Sequence, residues 1–250
     1  MDLAGRVAIV TGGGTGLGAV TCRLLGEAGV RVAVAWSRSE TEATAVAAEL
    51  PEAIAVRADV RDEGAVAVMV AEVEDRLGPV DLLVNNAGIT TYVAYQDLDA
   101  ISVDDWERIL GVNLIGAWIC AKAVAAGMRA RGAGAIVNVT SDAALTADGS
   151  SIPYVASKAG LVALTRTLAI ALAPVVRVNA VAPGWMDTTW LDRYVPEDRL
   201  RELRDGTEPS VRVDVAADEI VHLLGTNNLT GAVVQLEPGG VRVVHLPYEE

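Results

Sequence analysis

Five glycines, Gly12, Gly13, Gly14, Gly16 and Gly18, crowd one short segment, VAIVTGGGTGLGAV over residues 7–20. They follow an apolar run, Val7–Thr11, and open a helical pattern over Leu17–Ala28. A strand that turns into a helix over so few residues needs backbone freed from Cβ constraints. The turn also lets a pyrophosphate approach the main chain, while the helix N-terminus supplies N–H donors to the anion. Gly12, Thr15, Gly16, Leu17 and Gly18 are therefore candidate cofactor-binding positions. Glycine-rich turns also occur for the sake of turning alone, but the place of this one, directly after the first strand, favours a dinucleotide.

The rest of the chain repeats the strand–helix alternation. Apolar runs at Val30–Trp36, Ala53–Arg57, Asp81–Asn85, Ala135–Thr140, Val175–Ala180 and Ala232–Leu236 read as strands. Between them Glu40–Leu50, Asp62–Leu77, Asp104–Arg131, Pro153–Ala173 and Val215–Leu224 read as helices, the fourth strand leading into one long helix. Strands this apolar are buried on both faces, as in a parallel sheet. The alternation predicts an α/β fold with a doubly wound parallel sheet of seven strands. No linker or low-complexity tract divides residues 1–250, so one domain is expected. The connection over residues 185–212, with Trp185, Met186, Trp190, Leu191 and Tyr194, is long enough for a lid or substrate loop.

Composition excludes several classes. A net charge of −13 argues against nucleic-acid partners and anionic membrane surfaces. Cys22 and Cys120 sit in apolar helical patterns and read as buried free thiols, and no Cys/His cluster has metal spacing. His222 and His245 are the only histidines, which leaves a His-centred triad unsupported. No segment reads as a membrane span, and MDLAGRVAIV lacks the basic start and long apolar run of a signal, so a cytoplasmic protein is expected.

The second strand ends at Trp36, where a dinucleotide fold usually places an acid for the ribose diol. Ser37, Arg38 and Ser39 follow instead. A guanidinium and hydroxyls bind a 2′-phosphate that a carboxylate would repel, so NADP(H) is preferred, with NAD(H) as the alternative. A solvated turn charge is the other reading of Arg38. Asp59, with Val60 after the third strand, is either an acceptor for the adenine amino group or a helix N-cap. The NNAG stretch, Asn85–Gly88, suits a turn pressed against the cofactor through Asn86, Ala87 and Gly88.

Only two lysines occur in the chain, and one of them, Lys158, stands four residues after Tyr154. In a helix the two side chains share a face, and Pro153 suits the helix's first turn. A free phenol near pKa 10 is a poor proton donor at neutrality, and an adjacent ammonium would lower that value. Ser141, 13 residues upstream at the end of the fifth strand, would donate to a carbonyl oxygen as charge grows there.

TGGGTGLG, NNAG, Asn113 in GVNLIG, Ser141, YVASK and Pro183–Gly184 occur together and in order, and this set resembles the short-chain dehydrogenase/reductase family. The resemblance implies a Rossmann sheet of seven strands and hydride transfer between a nicotinamide and a carbonyl or alcohol. It implies Tyr154 as acid/base, Lys158 as its electrostatic partner, Ser141 as the carbonyl-orienting hydroxyl and Asn113 as a relay residue that breaks its helix locally. It further implies cofactor contacts from Gly12, Gly16, Gly18, Asp59, Asn86–Gly88, Pro183, Gly184 and Thr188. Members are usually dimers or tetramers built on the two long helices, so a homotetramer or homodimer is expected.

The substrate, a small carbonyl compound or alcohol, would be lined by Thr90–Tyr95, Asp142–Ser151 and Trp185–Tyr194. The chain is also similar to 3-oxoacyl-carrier-protein reductases, and Arg129 and Arg131 are expected near the site entrance, where an acidic carrier would dock. Against this stand their simple role at a helix C-terminus and the acidic total charge. A catalytically silent nucleotide-binding scaffold is the alternative from another class. Departures from the family pattern concentrate in LTGAVVQLEPGG, where Glu237 and Pro238 stand, and in the tail Val241–Glu250.

Overall fold

The structure is a computed structural model and describes residues 1–244. His245 and the two terminal acids lie outside the described residues. The chain begins with β1 (Val7–Thr11), α1 (Gly16–Glu27), β2 (Arg31–Trp36), α2 (Glu40–Glu49), β3 (Ala53–Arg57), α3 (Glu63–Arg76) and β4 (Leu82–Asn85). It continues through α4 (Val103–Leu110), a π-helical turn (Gly111–Gly116), α5 (Ala117–Arg131), β5 (Gly134–Val139), a short α6 (Ala143–Thr146), α7 (Ile152–Leu172) and β6 (Val176–Pro183). The last part holds α8 (Thr189–Tyr194), α9 (Glu197–Arg204), α10 (Val213–Gly225), β7 (Val233–Glu237) and β8 (Gly240–Val244).

All these strands join one sheet in the order β3-β2-β1-β4-β5-β6-β7-β8. The order reverses between β1 and β4, and such a switch point opens a crevice at the carboxyl ends of the strands. Side chains in β1 alternate between two helical layers. Val7 and Ile9 face α3, α5 and α7, whereas Ala8 and Val10 face α1, α2 and α10, and all four are buried. Burial on both faces is why the strands read as unbroken apolar runs.

The first seven strands pair in parallel, as the alternation predicts. The expectation of a seven-stranded, wholly parallel sheet is corrected at its edge, where β8 runs antiparallel to β7. Segment 240–244, read from the sequence as a tail, returns along β7 because Pro238 and Gly239 form a two-residue connection between the paired Glu237 and Gly240. Its valines are good strand formers. The connection after β6 is corrected too: it is not a plain loop but carries α8 and α9.

The long helix is continuous from Val103 to Arg131 around the π turn. By length and composition alone this helix and α7 are apolar enough to cross a membrane, which corrects the reading that no segment is. Their apolarity has a local cause: both pack against the sheet, α5 on β4 and β5 and α7 on β6.

The C-terminus of α5 corrects another expectation. Arg129 and Arg131 do not stand near the site entrance. A helix that returns from β4 to β5 ends at the amino edge of the sheet. There Arg131 donates to the Val80 carbonyl and pairs with Asp81 at 3.9 Å, while Arg129 donates to the Ala171 carbonyl near the end of α7.

Candidate active site

The glycine loop is built as a cradle. Gly12 has a left-handed backbone, φ +65°. A Cβ added at Gly18 would lie 2.3 Å from the Gly12 oxygen and 2.5 Å from Asn86 Nδ2, so only glycine fits. The NNAG turn is tied to this loop. Asn86 Nδ2 donates to the carbonyls of Thr11 (2.9 Å) and Gly12 (3.1 Å), and Thr11 Oγ1 accepts from Asn86 N and Ala87 N, each at 3.0 Å. Thr11 thus organises both loops, a role hidden in the sequence behind its place at a strand end. Thr15 precedes α1 without a side-chain cap, and no acid occupies the helix's first turn, so its N–H groups suit an anion.

A cavity of about 540 Å³ runs from this loop to Tyr154. Thr15, Gly16, Leu17, Ser37, Arg38, Ser39, Asp59, Val60, Ala87, Gly88, Pro183, Gly184 and Thr188 line it together with Gly12, Asn86, Ser141 and Lys158. Two expected site residues do not. Gly18 lies beneath the loop against Gly12, and Asn113 is buried behind Gly88 and Ile89. A cavity that joins a glycine cradle to Tyr154, Ser141 and Lys158 fits a nicotinamide dinucleotide.

Where the cavity meets the ends of β2 and β3, Trp36 stands where a dinucleotide fold usually has an acid, and the Arg57 guanidinium lies 5.8 Å from its ring centre. Arg57 and Arg61 also line the cavity, and the sequence reading missed both. Strand alternation carried no sign that Arg57, at the end of β3, would line the cavity. Asp59 is engaged by Arg61 through its backbone N, Nε and Nη2, the last at 2.6 Å. Hydrogen bonds from Arg61 hold its carboxyl below the usual range, with the charge of Arg38 adding to the effect. The N-cap alternative for Asp59 falls to Asp62, whose Oδ1 accepts from Gly64 N (2.8 Å) and Ala65 N (3.0 Å).

At the other end, α7 opens with Pro153 in its first turn, and Tyr154 and Lys158 follow on one face. Lys158 Nζ lies 5.7 Å from the Tyr154 ring centre and donates to the Val139 carbonyl at 2.8 Å. Burial draws the lysine down to about 8. The phenol behaves otherwise than the sequence reading expects. Burial pushes it up to about 12, the Asp142 charge adds to the rise, and the Ser141 hydroxyl opposes it. Asn113 sits in the π turn, and its side chain reaches out of the helix to Ile89 and α7. Its Oδ1 accepts from Ile89 N (2.9 Å), and its Nδ2 donates to Ile89 O (2.9 Å) and Ser157 Oγ (3.0 Å). Ser157 Oγ in turn donates to the Tyr154 carbonyl at 2.7 Å.

Helix α8 covers this end. Trp190 Nε1 donates to the Gly88 carbonyl at 2.9 Å, and its ring centre lies 6.1 Å from that of Tyr154 and 4.9 Å from that of Tyr194. Of the expected substrate lining, Trp185, Met186, Leu191, Asp142 and Asp148 face the cavity, but from Thr90–Tyr95 only Tyr92 does. Thr90 is instead bonded to Ser150 (2.5 Å), and the Tyr95 hydroxyl accepts from Gly149 N (2.6 Å). Arg108, Arg199 and Glu208 also line it, and with α9 unrecognised Arg199 had no signal in the sequence.

A family model described as short chain dehydrogenase matches residues 6–199. A 3-oxoacyl-[acyl-carrier-protein] reductase of Synechocystis sp. is 39% identical, covering 80% of this chain and 81% of that protein. A cis-4-hydroxycyclohexanecarboxylate dehydrogenase of Sinomonas cyclohexanicum is 40% identical over 74% of this chain and 75% of its own length. Among solved structures, a 3-ketoacyl-(acyl-carrier-protein) reductase from Brucella melitensis complexed with NADH superposes with a TM-score of 0.86 at 29% identity, covering 95% of this chain and 98% of that one. With the phosphate cradle, the Tyr154–Lys158 helix and these matches in agreement, the chain belongs to the short-chain dehydrogenase family and is an NAD(P)-dependent oxidoreductase acting at a CH–OH/C=O centre.

Proposed function

We propose that the chain is an NADP(H)-dependent carbonyl reductase, or alcohol dehydrogenase in reverse, with Tyr154 as its proton donor. It acts as one nucleotide-binding domain with residues 185–212 as substrate loop. The observation that carries the reading is the gathering of Tyr154, Ser141 and Lys158 at one end of a cavity whose other end holds Trp36 and three arginines. That gathering also speaks against a silent scaffold.

When bound, the cofactor supplies or accepts the hydride. Tyr154 gives its phenolic proton to the carbonyl oxygen during reduction and takes one from the hydroxyl in the reverse direction. Ser141 donates a hydrogen bond to the same oxygen as negative charge grows. Lys158 places a cation beside the phenol, held there by the Val139 carbonyl. Asn113 fixes the backbone at Ile89 and the first turn of α7, so Gly88 and Lys158 keep their spacing. Trp185, Met186, Trp190 and Leu191 suit an apolar or aromatic ketone.

The preference for NADP(H) rests on charge. Arg38, Arg57 and Arg61 face the adenosine end of the cavity, where no strand-two acid competes. Arg61 is committed to Asp59, which leaves Arg38 and Arg57 for a 2′-phosphate. Either Arg38→Ala or Arg57→Ala is expected to raise the NADPH Kd roughly tenfold to a hundredfold, the size of a charged hydrogen bond, and to leave NADH unchanged. Titration calorimetry checks this, and equal losses for both cofactors would remove the phosphate assignment. Turnover itself is tested by NADPH oxidation with ethyl acetoacetate, 2,3-butanedione, cyclohexanone and acetophenone. Carrier-bound 3-oxoacyl thioesters are the second reading, favoured by the names of relatives but not by Arg129 and Arg131, which lie at the far edge of the sheet.

We further propose a homodimer or homotetramer, with cytoplasmic location in keeping with the two free thiols. Leu114, Ile115 and Trp118 form an apolar groove with Gly160, Ala163 and Leu164 of α7. Ile115 and Trp118 are 49% and 41% exposed, which a second copy would cover. Light scattering is expected to give two or four chain masses for wild type and one for Ile115→Asp; a wild-type monomer would count against it.

A further inference from the structure

Ser141 has one hydroxyl hydrogen, and what receives it decides what the group can do. In this structure the hydroxyl donates to Asp142 Oδ1 at 3.1 Å and Ala143 N donates to the Ser141 oxygen at 3.3 Å, and the Tyr154 phenol is the competing partner for the same hydrogen. A hydroxyl that gives its hydrogen to a carboxylate presents only lone pairs elsewhere. It then repels a carbonyl oxygen that is gaining negative charge, the opposite of what ketone reduction needs. A protonated Asp142 reverses the bond: its carboxyl O–H donates to Ser141 Oγ, and the serine hydrogen turns toward the Tyr154 oxygen and a substrate oxygen seated beside it. Ser141 Oγ would then accept from Asp142 and Ala143 and donate once, which uses its full capacity.

We propose that Asp142 is a positioning residue for the reaction: its protonated carboxyl turns the Ser141 hydroxyl onto the substrate oxygen, and its carboxylate turns that hydroxyl away. The inference rests on the reading of Ser141 as the carbonyl-binding hydroxyl. No proton leaves Asp142 or Ser141 during turnover; the proton added to the alkoxide is that of Tyr154.

The surroundings of Asp142 favour its neutral form. It is half-buried at the start of α6, its backbone N donates to Pro183 O at 3.0 Å, and its second carboxylate oxygen lies against Gly184. The charged and titratable groups that act on it or feel its charge are Asp148 from the loop after α6, Glu237 from the end of β7 and Tyr154 from α7. Burial first, and then the charges of Asp148 and Glu237, push its carboxyl above the ordinary value, against the bonds from Ser141 and Ala143.

The test has two arms on the full chain. In the first, kcat/KM for the best-reduced ketone of the panel is followed against pH in wild type, Asp142→Ala and Asp142→Asn. Wild type is expected to lose activity about tenfold for each pH unit above the Asp142 midpoint. Both variants are expected to lack that limb, because neither carries a carboxylate, and Asp142→Ala is expected to exceed wild type at its alkaline end. A limb of unchanged position and slope in both variants overturns the proposal. The second arm needs no turnover. Carboxyl carbon NMR of aspartate-labelled protein follows the Asp142 midpoint, which is expected to rise in Ser141→Ala as the serine bond is lost. An unmoved midpoint overturns the proposal while leaving the functional reading intact. A chain that reduces none of the ketones, or whose activity survives Ser141→Ala, fails the functional reading and this proposal with it.

Discussion

Tyr154→Phe is expected to lower kcat for ketone reduction by roughly 10²–10⁴-fold, the range for loss of a positioned general acid. The substitution removes one oxygen and leaves the ring that packs beside Trp190 at 6.1 Å. The NADPH Kd and the KM should therefore hold, and the loss should appear in kcat, as for an interaction made only in the transition state. The direction of catalysis sharpens the expectation. A phenol pushed up to about 12 stays protonated at neutral pH, which is the form reduction consumes. Oxidation of an alcohol needs the phenolate, so its rate should climb with pH where the reductive rate does not. Steady-state kinetics in both directions check this. A Phe variant within about threefold of wild type would move the acid elsewhere.

Much of this site was legible because its chemistry uses residue types at places where they are otherwise unfavoured. Glycine-rich turns between apolar runs expose the glycine cradle, and one of only two lysines, a helical turn after a tyrosine, stands out in a chain that otherwise favours arginine. Asn113 is a poor helix former at mid-helix, and the π turn it occupies shows why it is tolerated there. Arg57 was hidden because strand alternation says which face a side chain takes, not which end of a crevice it reaches. The misplacement of Arg129 and Arg131 has a related cause. Sequence put them at a helix end, but which edge of the sheet that end meets depends on strand direction. β8 was missed because a hairpin connection as short as Pro238–Gly239 resembles the start of a tail, and pairing with β7 is a tertiary event.

Lys158→Met is expected to make the protein more stable at pH 7 while reducing kcat by roughly 10²–10⁴-fold. Lys158 is 4% exposed, and among the described residues its ammonium donates to the Val139 carbonyl at 2.8 Å. Burial lowers its pKa from the ordinary 10.5 to about 8, so the fold disfavours the charged form. The sign follows from proton counts. Between about pH 8 and 10.5 the unfolded chain binds more protons than the folded one, so wild-type stability rises with pH across that window. Below it the cost is present in full, about 3 kcal/mol by order of magnitude. Methionine fills a similar volume without the charge, and losing the bond to Val139 returns about 1 kcal/mol. The net expectation is a gain of about 2 kcal/mol at pH 7 that disappears near pH 10, measured by urea unfolding at both values. Such a result would mean that the lysine opposes the fold and serves the phenol. A variant less stable than wild type at pH 7 would instead make the Val139 contact a structural tie, and the placing of α7 would then depend on the amine itself.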